Sequence, residues 1–376
     1  MSQKPNIGLI LSGGGARAAY QAGVMLAISR LLPDPKVNPF SIICGTSAGA
    51  INATGLASGA NDFREAARYL ALVWRQIRIS DVYQSDLFYF LKTFLHFGVA
   101  TATGGRLWKN PKSFLDNQPL QSFLARVMAF DGVENALQSG ALRALALTAS
   151  CYTSGQSVTF FDGDPAIGEW SRQMRVGVRG KIGLEHLMAS SALPLIFPSS
   201  RVGERFFCDG AVRQMAPLSP ALHLGAEKLF VVGLASQQPP PGGAGMYPSP
   251  AQVFGHLLNS VFADSMASDM ERLVRINHTV SLLQQHEELL GKTPLRRVDV
   301  LMINPSVSLE QIVQRHVQQF PPVLRFVLRG TGATGKRGLS LATYLLFEPG
   351  YCRDLIALGY KDALRQQEAI CRFLEL

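Results

Sequence analysis

Residues 40–50, Phe-Ser-Ile-Ile-Cys-Gly-Thr-Ser-Ala-Gly-Ala, leave the chain little choice of local structure. Phe40 to Cys44 reads as a short buried strand, and the small-residue run from Ala48 to Ala57 reads as the start of a helix. Gly45-Thr46-Ser47-Ala48-Gly49 joins them in the pattern Gly-x-Ser-x-Gly, a sharp strand-to-helix turn that lifts the serine hydroxyl above a sheet. Bulky side chains two residues before or after Ser47 would strike the flanking strand and helix, so glycine fits at both positions. The helix that follows aims free N–H groups at any oxyanion formed there. Read alone, the stretch is equally a Gly/Ala-rich turn kept for tight packing.

The same kind of unit stands once before it. Asn6 to Ser12 reads as a buried strand, Gly13-Gly14-Gly15 as its turn, and Ala16 to Leu32 as a helix ended by Pro33 and Pro35. A right-handed crossover makes the two strands parallel neighbours, with both glycine turns at the carboxyl ends where such sheets bind ligands. Further strands are predicted at Leu142–Ala149, Ser157–Phe161, Arg205–Cys208, Lys228–Gly233 and Val298–Ile303. Helices are predicted at 61–76, Leu184–Ser190, Ala251–Gln285 and Asp354–Phe373. In the third of these Val253, Leu257, Val261, Met270, Leu273 and Val280 fall close to one face. The fold class is therefore α/β. Gln237 to Pro250, rich in Pro and Gly, is the one candidate linker, and the strand after it predicts a return to the same sheet. A single domain over 1–376 is expected, with a core at 6–235 and a helical extension at 250–376 packed on it.

Composition narrows the function classes. Apolar residues make up 47% of the 376, which excludes a disordered chain. No apolar run approaches the roughly 20 residues needed to span a bilayer. Ile7 to Leu11 is too short for the apolar core of a signal peptide, so a cytoplasmic location is expected. Cys44, Cys151, Cys208, Cys352 and Cys371 lie far apart, and none sits at metal-type spacing. Free thiols, no metal and no cofactor are expected. The net charge of +9 raises nucleic acid and anionic membrane as partners. The Lys and Arg residues are scattered, without aromatic interleaving or a recognisable module, which argues against nucleic acid. Peripheral contact with anionic lipid headgroups and a solvated basic surface both stay open. The aromatic run 87–97, with Lys92 and His96 four apart, reads either as a core helix or as a lid presenting rings to lipid.

Three features far apart in sequence fit one mechanism. Ser47 is the nucleophile candidate. Gly13, Gly14 and Gly15 offer a bare backbone at a helix start for an oxyanion, with Arg17 to orient the loop or hold negative charge. Asp209, followed by Gly210 and Ala211, is the base candidate, and the apolar approach through Phe206 and Phe207 would raise its pKa toward a useful value. No histidine suits a triad: His186 precedes Asp209, and His223 follows it closely on what reads as a helix. Gly13-x-Gly15-x-x-Ala18 formally matches a dinucleotide fingerprint, but the second strand ends in Cys44-Gly45 rather than an acidic residue. Gly330-x-x-x-x-Gly335-Lys336 approaches a P-loop, with Arg337 where Ser or Thr is needed.

Gly13-Gly14-Gly15-Ala16-Arg17-Ala18, Gly45-Thr46-Ser47-Ala48-Gly49 and Asp209-Gly210-Ala211 resemble, in order and spacing, the three signature blocks of the patatin-like phospholipase family. Ala189-Ser190-Ser191-Ala192-Leu193-Pro194 is similar to that family's segment before the aspartate. The family is similar to the catalytic domain of cytosolic phospholipase A2. The resemblance covers roughly residues 6 to 235. It implies a three-layer α/β/α sandwich with a mostly parallel central sheet, and hydrolysis of lipid or phospholipid acyl esters by a Ser47–Asp209 dyad without a metal. It further implies an oxyanion hole at Gly13–Gly15 with Arg17, an elbow of Gly45, Thr46, Ala48 and Gly49, and supporting positions Gly210 and Ala211. Ala18 and Ala211 stand where many members have glycine. A catalytically silent lipid-binding or scaffold protein on the same fold is the alternative.

Overall fold

In a computed structural model of the chain, which describes residues 5–84, 113–236, 247–284, 293, 295–333, 335 and 338–376, two β-α units stand side by side. Strand β1 (Ile7–Leu11) pairs in parallel with β2 (Ile42–Thr46), Leu9 opposite Ile43. Both are buried along their whole length, which is why Ile7–Leu11 and Ile42–Cys44 read as apolar runs. Leu9 and Leu11 belong to one packed cluster and Ile10 to another, so both faces of β1 are covered. The first helix differs at its start: a 3₁₀ turn at Gly15–Ala18 comes first, and α1 follows at Ala19–Leu31. After β2 come α2 (Ala48–Ser58) and α3 (Phe63–Gln76), the latter capped by the Asp62 carboxylate accepting from the Glu65 N–H.

Strands β3 (Ala144–Cys151), β4 (Ser157–Gly163), β5 (Trp170–Arg172), β6 (Arg175–Arg179), β7 (Ser200–Val202), β8 (Arg205–Asp209), β9 (Lys228–Val232) and β10 (Asp299–Ile303) complete one ten-stranded sheet. Helices lie on both sides, giving three layers, α/β/α. The strand order is β10-β9-β1-β2-β3-β4-β6-β5. The five strands from β10 to β3 are parallel, as expected. Beyond β3 the expected mostly parallel sheet becomes mixed: β3–β4, β5–β6, β3–β8 and β7–β8 are antiparallel. The cause is local. The stretch from Tyr152 to Gln156 is too short for a crossover, so β4 can only fold back on β3.

The register of β3 sets the site. Along one edge β4 pairs with it from Ala144 to Ser150. On the other edge β2 pairs only as far as Thr46 opposite Thr148, and β8 takes over with Asp209 opposite Ala149 and Phe207 opposite Cys151. Because β2 runs parallel to β3 and β8 antiparallel, the two point at each other and stop end to end. The residue after β2 is Ser47, and the residue that ends β8 is Asp209.

Helix α4 (Leu184–Ser190) matches its expected bounds. The long C-terminal helix does not run as expected. It is α5 (Pro250–Asn259), a π-turn at Ser260–Asp264, and α6 (Ser265–Leu283). Val253 and Leu257 are 48% and 57% exposed, while Ala251, Gly255 and Leu258 are buried. Small residues form the contact face because α7 (Leu339–Leu345) approaches closely: a Cβ on Gly255 would stand 3.0 Å from that of Ser340. The π-turn then shifts the helical phase, so that Met266, Leu273 and Val280 face inward. Helix α8 (Pro349–Arg365) packs on α1 through glycines, a Cβ at Gly359 falling 2.1 Å from the Tyr20 carbonyl oxygen. Short helices at 118–127, 130–139, 309–316 and 322–330 were not anticipated by the sequence reading. The last of them precedes the Gly330–Gly335 run, where a P-loop requires a strand. The aromatic run 87–97 and most of the 237–250 loop lie outside the described residues.

Candidate active site

Ser47 occupies the turn between β2 and α2 with φ 57° and ψ −129°, a conformation few non-glycine residues adopt. Two glycines allow the turn. A Cβ at Gly45 would lie 2.4 Å from the Gly49 carbonyl oxygen, and one at Gly49 would lie 2.2 Å from that of Leu11. At this backbone angle the Ser47 N–H fits neither the strand nor the helix pattern. It donates instead to Ser190 Oγ at 2.9 Å, and the Ser190 hydroxyl donates to the Thr148 carbonyl at 2.7 Å. Thr46 donates through its hydroxyl to Gln214 Oε1 at 2.6 Å, and Gln214 donates back to Thr148 Oγ1 at 3.1 Å.

Asp209 is fully buried. Its main-chain N–H donates to the Ala192 carbonyl at 2.9 Å, and its Oδ1 accepts from the Ala211 N–H at 3.0 Å. Burial pushes the carboxyl up to about 7, against the Ser47 hydroxyl and the Ala211 N–H, which pull it down. The other oxygen, Oδ2, makes no hydrogen bond of ordinary geometry among the described residues. Gly210 packs so tightly that a Cβ there would meet the Thr148 carbonyl oxygen at 2.1 Å and Thr46 Cγ2 at 2.9 Å. The ends of β2 and β8 are thus in direct contact.

The glycine loop closes over the same place. A Cβ on Gly13 would lie 2.9 Å from Ser47 Cβ and 2.6 Å from the Phe262 ring, and Gly15 takes the positive φ of 56° that lets the loop enter its 3₁₀ turn. The N–H groups of Gly13, Gly14 and Gly15 have no acceptor among the described residues. Beneath the loop runs a buried polar chain: the Trp74 indole donates to Asn52, Asn52 to Gln21 Oε1, and Gln21 to the Ser12 carbonyl. Nothing in the sequence singled out Gln21 or Asn52; their spacing matches no motif.

Arg17 is buried and held by side chains from beyond residue 250. Its guanidinium donates to Thr343 Oγ1 (2.6 Å), Asn259 Oδ1 (3.1 Å), the Tyr344 hydroxyl (3.0 Å) and Ser340, pairs with Glu310 at 3.6 Å, and lies 3.8 Å over the Tyr344 ring. These bonds tie the loop to α5 and α7. His186 accepts from the Gly183 N–H and packs on Phe160, and His223 stacks on Trp170; neither is a partner of Ser47 or Asp209. The five cysteines are unpaired. Among the described residues no group of three metal-ligating side chains stands together, and no helix is long and apolar enough to cross a membrane.

An apolar pocket opens beside Ser47 and Gly15, walled by Ile51, Leu70, Trp74, Leu124, Phe197 and Phe347. The family model for patatin-like phospholipases matches residues 9–222, more than half of the chain, a span that includes Gly13–Gly15, Ser47 and Asp209. The chain belongs to the patatin-like phospholipase family. A cGAMP-activated phospholipase of Pseudomonas aeruginosa (strain BWHPSA011 / Pa011) is 48% identical over 50 residues, which are 13% of this chain and 15% of that protein. The chain therefore aligns with only a small part of that curated relative. VipD from Legionella pneumophila superposes with a TM-score of 0.36 at 12% identity, covering 98% of this chain and 67% of that one. Human GIVD cytosolic phospholipase A2, in complex with methyl gamma-linolenyl fluorophosphonate, gives 0.45 at 14%, covering 99% and 59%.

Proposed function

We propose that this patatin-like chain is a serine acyl-ester hydrolase of lipids, of the phospholipase A or lysophospholipase type. The observation that carries the reading is the meeting of Ser47 with a buried carboxylate of pKa about 7. A carboxylate of ordinary acidity is a poor base for an alcohol, and one held near neutrality is a competent base at physiological pH. Asp209 takes the Ser47 hydroxyl proton as Oγ attacks the ester carbonyl. The negative oxygen of the tetrahedral intermediate is received by the N–H groups of Gly13, Gly14 and Gly15, whose freedom from internal acceptors supports this role. Asp209 returns the proton to the leaving alcohol, and the acyl group stays on Ser47. Water then attacks the acyl carbonyl as Asp209 takes its proton, the bond from the carbonyl carbon to Ser47 Oγ breaks, Asp209 returns the proton to Oγ, and the fatty acid leaves. The apolar walls of the neighbouring pocket, which Ser47 borders, suit the acyl chain.

The position of β10 beside β9 in the sheet, and the tie from Arg17 to α7, support a single domain over the whole chain. The charge of +9 supports peripheral contact with anionic membrane at a cytoplasmic face. The test of the activity is turnover of a nitrophenyl ester with a fluorophosphonate label mapped by peptide sequencing. Label on Ser47, and loss of both label and turnover in Ser47→Ala, is the expected result. Lipid binding by the wild type with no Ser47-dependent turnover would favour the silent binding protein instead.

A further inference from the structure

The segment from α4 into β7 touches both reactive residues at once. Ser190 Oγ accepts from the Ser47 N–H at 2.9 Å, and two residues later the Ala192 carbonyl accepts from the Asp209 N–H at 2.9 Å. The Ser190 side chain is fully buried, and its own proton goes to the Thr148 carbonyl at 2.7 Å. That carbonyl is the atom against which Gly210 packs. A second hydroxyl works from the same strand: Ser150 Oγ donates to the Gly210 carbonyl at 3.1 Å and accepts from the Arg213 N–H at 3.1 Å.

We infer that Ser190 is a positioning residue for this reaction: its hydroxyl is the bridge that fixes the strained elbow at a set distance from Asp209 through β3. Three features support this over plain core packing. The Ser47 N–H sits at a positive-φ residue, where no backbone acceptor reaches it, so a side chain must supply one. The accepting hydroxyl is itself oriented by a second bond, which leaves a single rotamer that serves both ends. The bridge also removes the Ser47 N–H from the set of donors facing substrate. The oxyanion is thereby left to the glycine loop, and loss of Ser190 would release a competing donor beside the nucleophile.

The inference rests on the Ser47–Asp209 reading, and its test separates the two. Ser190→Ala, Ser190→Thr and Ser190→Cys are compared with wild type for nitrophenyl-ester kinetics and for the rate of fluorophosphonate labelling, with active sites counted by the label. For Ser190→Ala the expected result is a fall in kcat of roughly 10- to 100-fold with KM within twofold, and labelling slowed by the same factor. The acid limb of the pH profile should move upward, because the Ser47 hydroxyl no longer sits where it favours the ionised Asp209. Ser190→Thr, which keeps the bridging oxygen, should recover most of kcat. Ser190→Cys should lie between the two, and it decides the matter if the alanine protein does not fold. Wild-type kcat and labelling in Ser190→Ala or Ser190→Cys, with only a lowered melting temperature, would overturn the inference. Absence of Ser47-dependent turnover in the wild type would instead overturn the dyad, and the bridge with it.

Discussion

Replacing Asp209 by asparagine tests stability and chemistry at one atom. The native carboxyl titrates at about 7 because it is buried, whereas in the unfolded chain it titrates in the ordinary aspartate range, near 4. Below both values the folded and unfolded states are equally protonated at this residue. As pH rises through that window the unfolded state ionises first, so the native state loses stability. Above about 7 both are ionised and the loss is complete. Three pH units at about 1.4 kcal/mol each give a swing of about 4 kcal/mol. Asp209→Asn is neutral at every pH and nearly the same shape, so it escapes that swing. Urea unfolding of both proteins from pH 4 to pH 9 should show the variant gaining on wild type by a few kcal/mol across the range, with other ionisations cancelling in the difference. Over the same range kcat/KM of wild type should rise with an apparent pKa near 7, and the variant should lose roughly 10²- to 10⁴-fold in turnover. A stability difference that is flat with pH, together with a flat activity profile, would mean that this carboxyl is not a buried group of raised pKa, and the base assignment would fail.

Gly13→Ala puts a methyl into the Phe262 ring and against Ser47, so esterase activity should fall at least tenfold while circular dichroism still reports the folded chain. Arg17→Met removes five donors from a buried cluster and leaves Glu310 unpaired; denaturant unfolding should show a loss of roughly 3 kcal/mol, and turnover should fall with it as the glycine loop loosens. Ile51→Trp narrows the apolar pocket one helical turn from Ser47. It should raise KM for long-chain esters about tenfold while leaving an acetate ester close to wild type, and an equal effect on both chain lengths would refute the pocket's assignment to the acyl group.

The parts of this fold that are legible in sequence are those fixed by neighbours along the chain. Ile7–Leu11, Ile42–Cys44 and Leu229–Val232 are apolar because both sheet faces are covered, and the glycines at 15, 45 and 49 mark backbone that must approach other backbone. Ser47, Asp209 and the glycine loop could be paired as candidates on that basis. What brings them together could not be read, because it depends on β8 entering the same edge of β3 that β2 vacates, a pairing between residues far apart. The fate of Arg17 was hidden for the same reason: its partners lie beyond residue 250. Val253 and Leu257 misled because α5 is buried through Ala251, Gly255 and Leu258, two of which are too small to carry a hydrophobic signal. Asn52 and Gln21 look like any polar residue in a helix until their hydrogen bonds are known, and the resemblance that marked the segment around Ser190 did not say what its hydroxyl holds.

With two strands abutting on one rail, the gap between alcohol and acid is measured in steps of β3, each about 3.3 Å, rather than in lengths of loop. Most of the residues in the excursions between α2 and β3, and between β4 and α4, can therefore vary without retuning that distance, whereas the Ser190–Ala192 segment, which bonds the ends of both strands, cannot. Variation in which lipid is taken, and at which surface, has room in those excursions, while the spacing itself is inherited from a single ladder of hydrogen bonds.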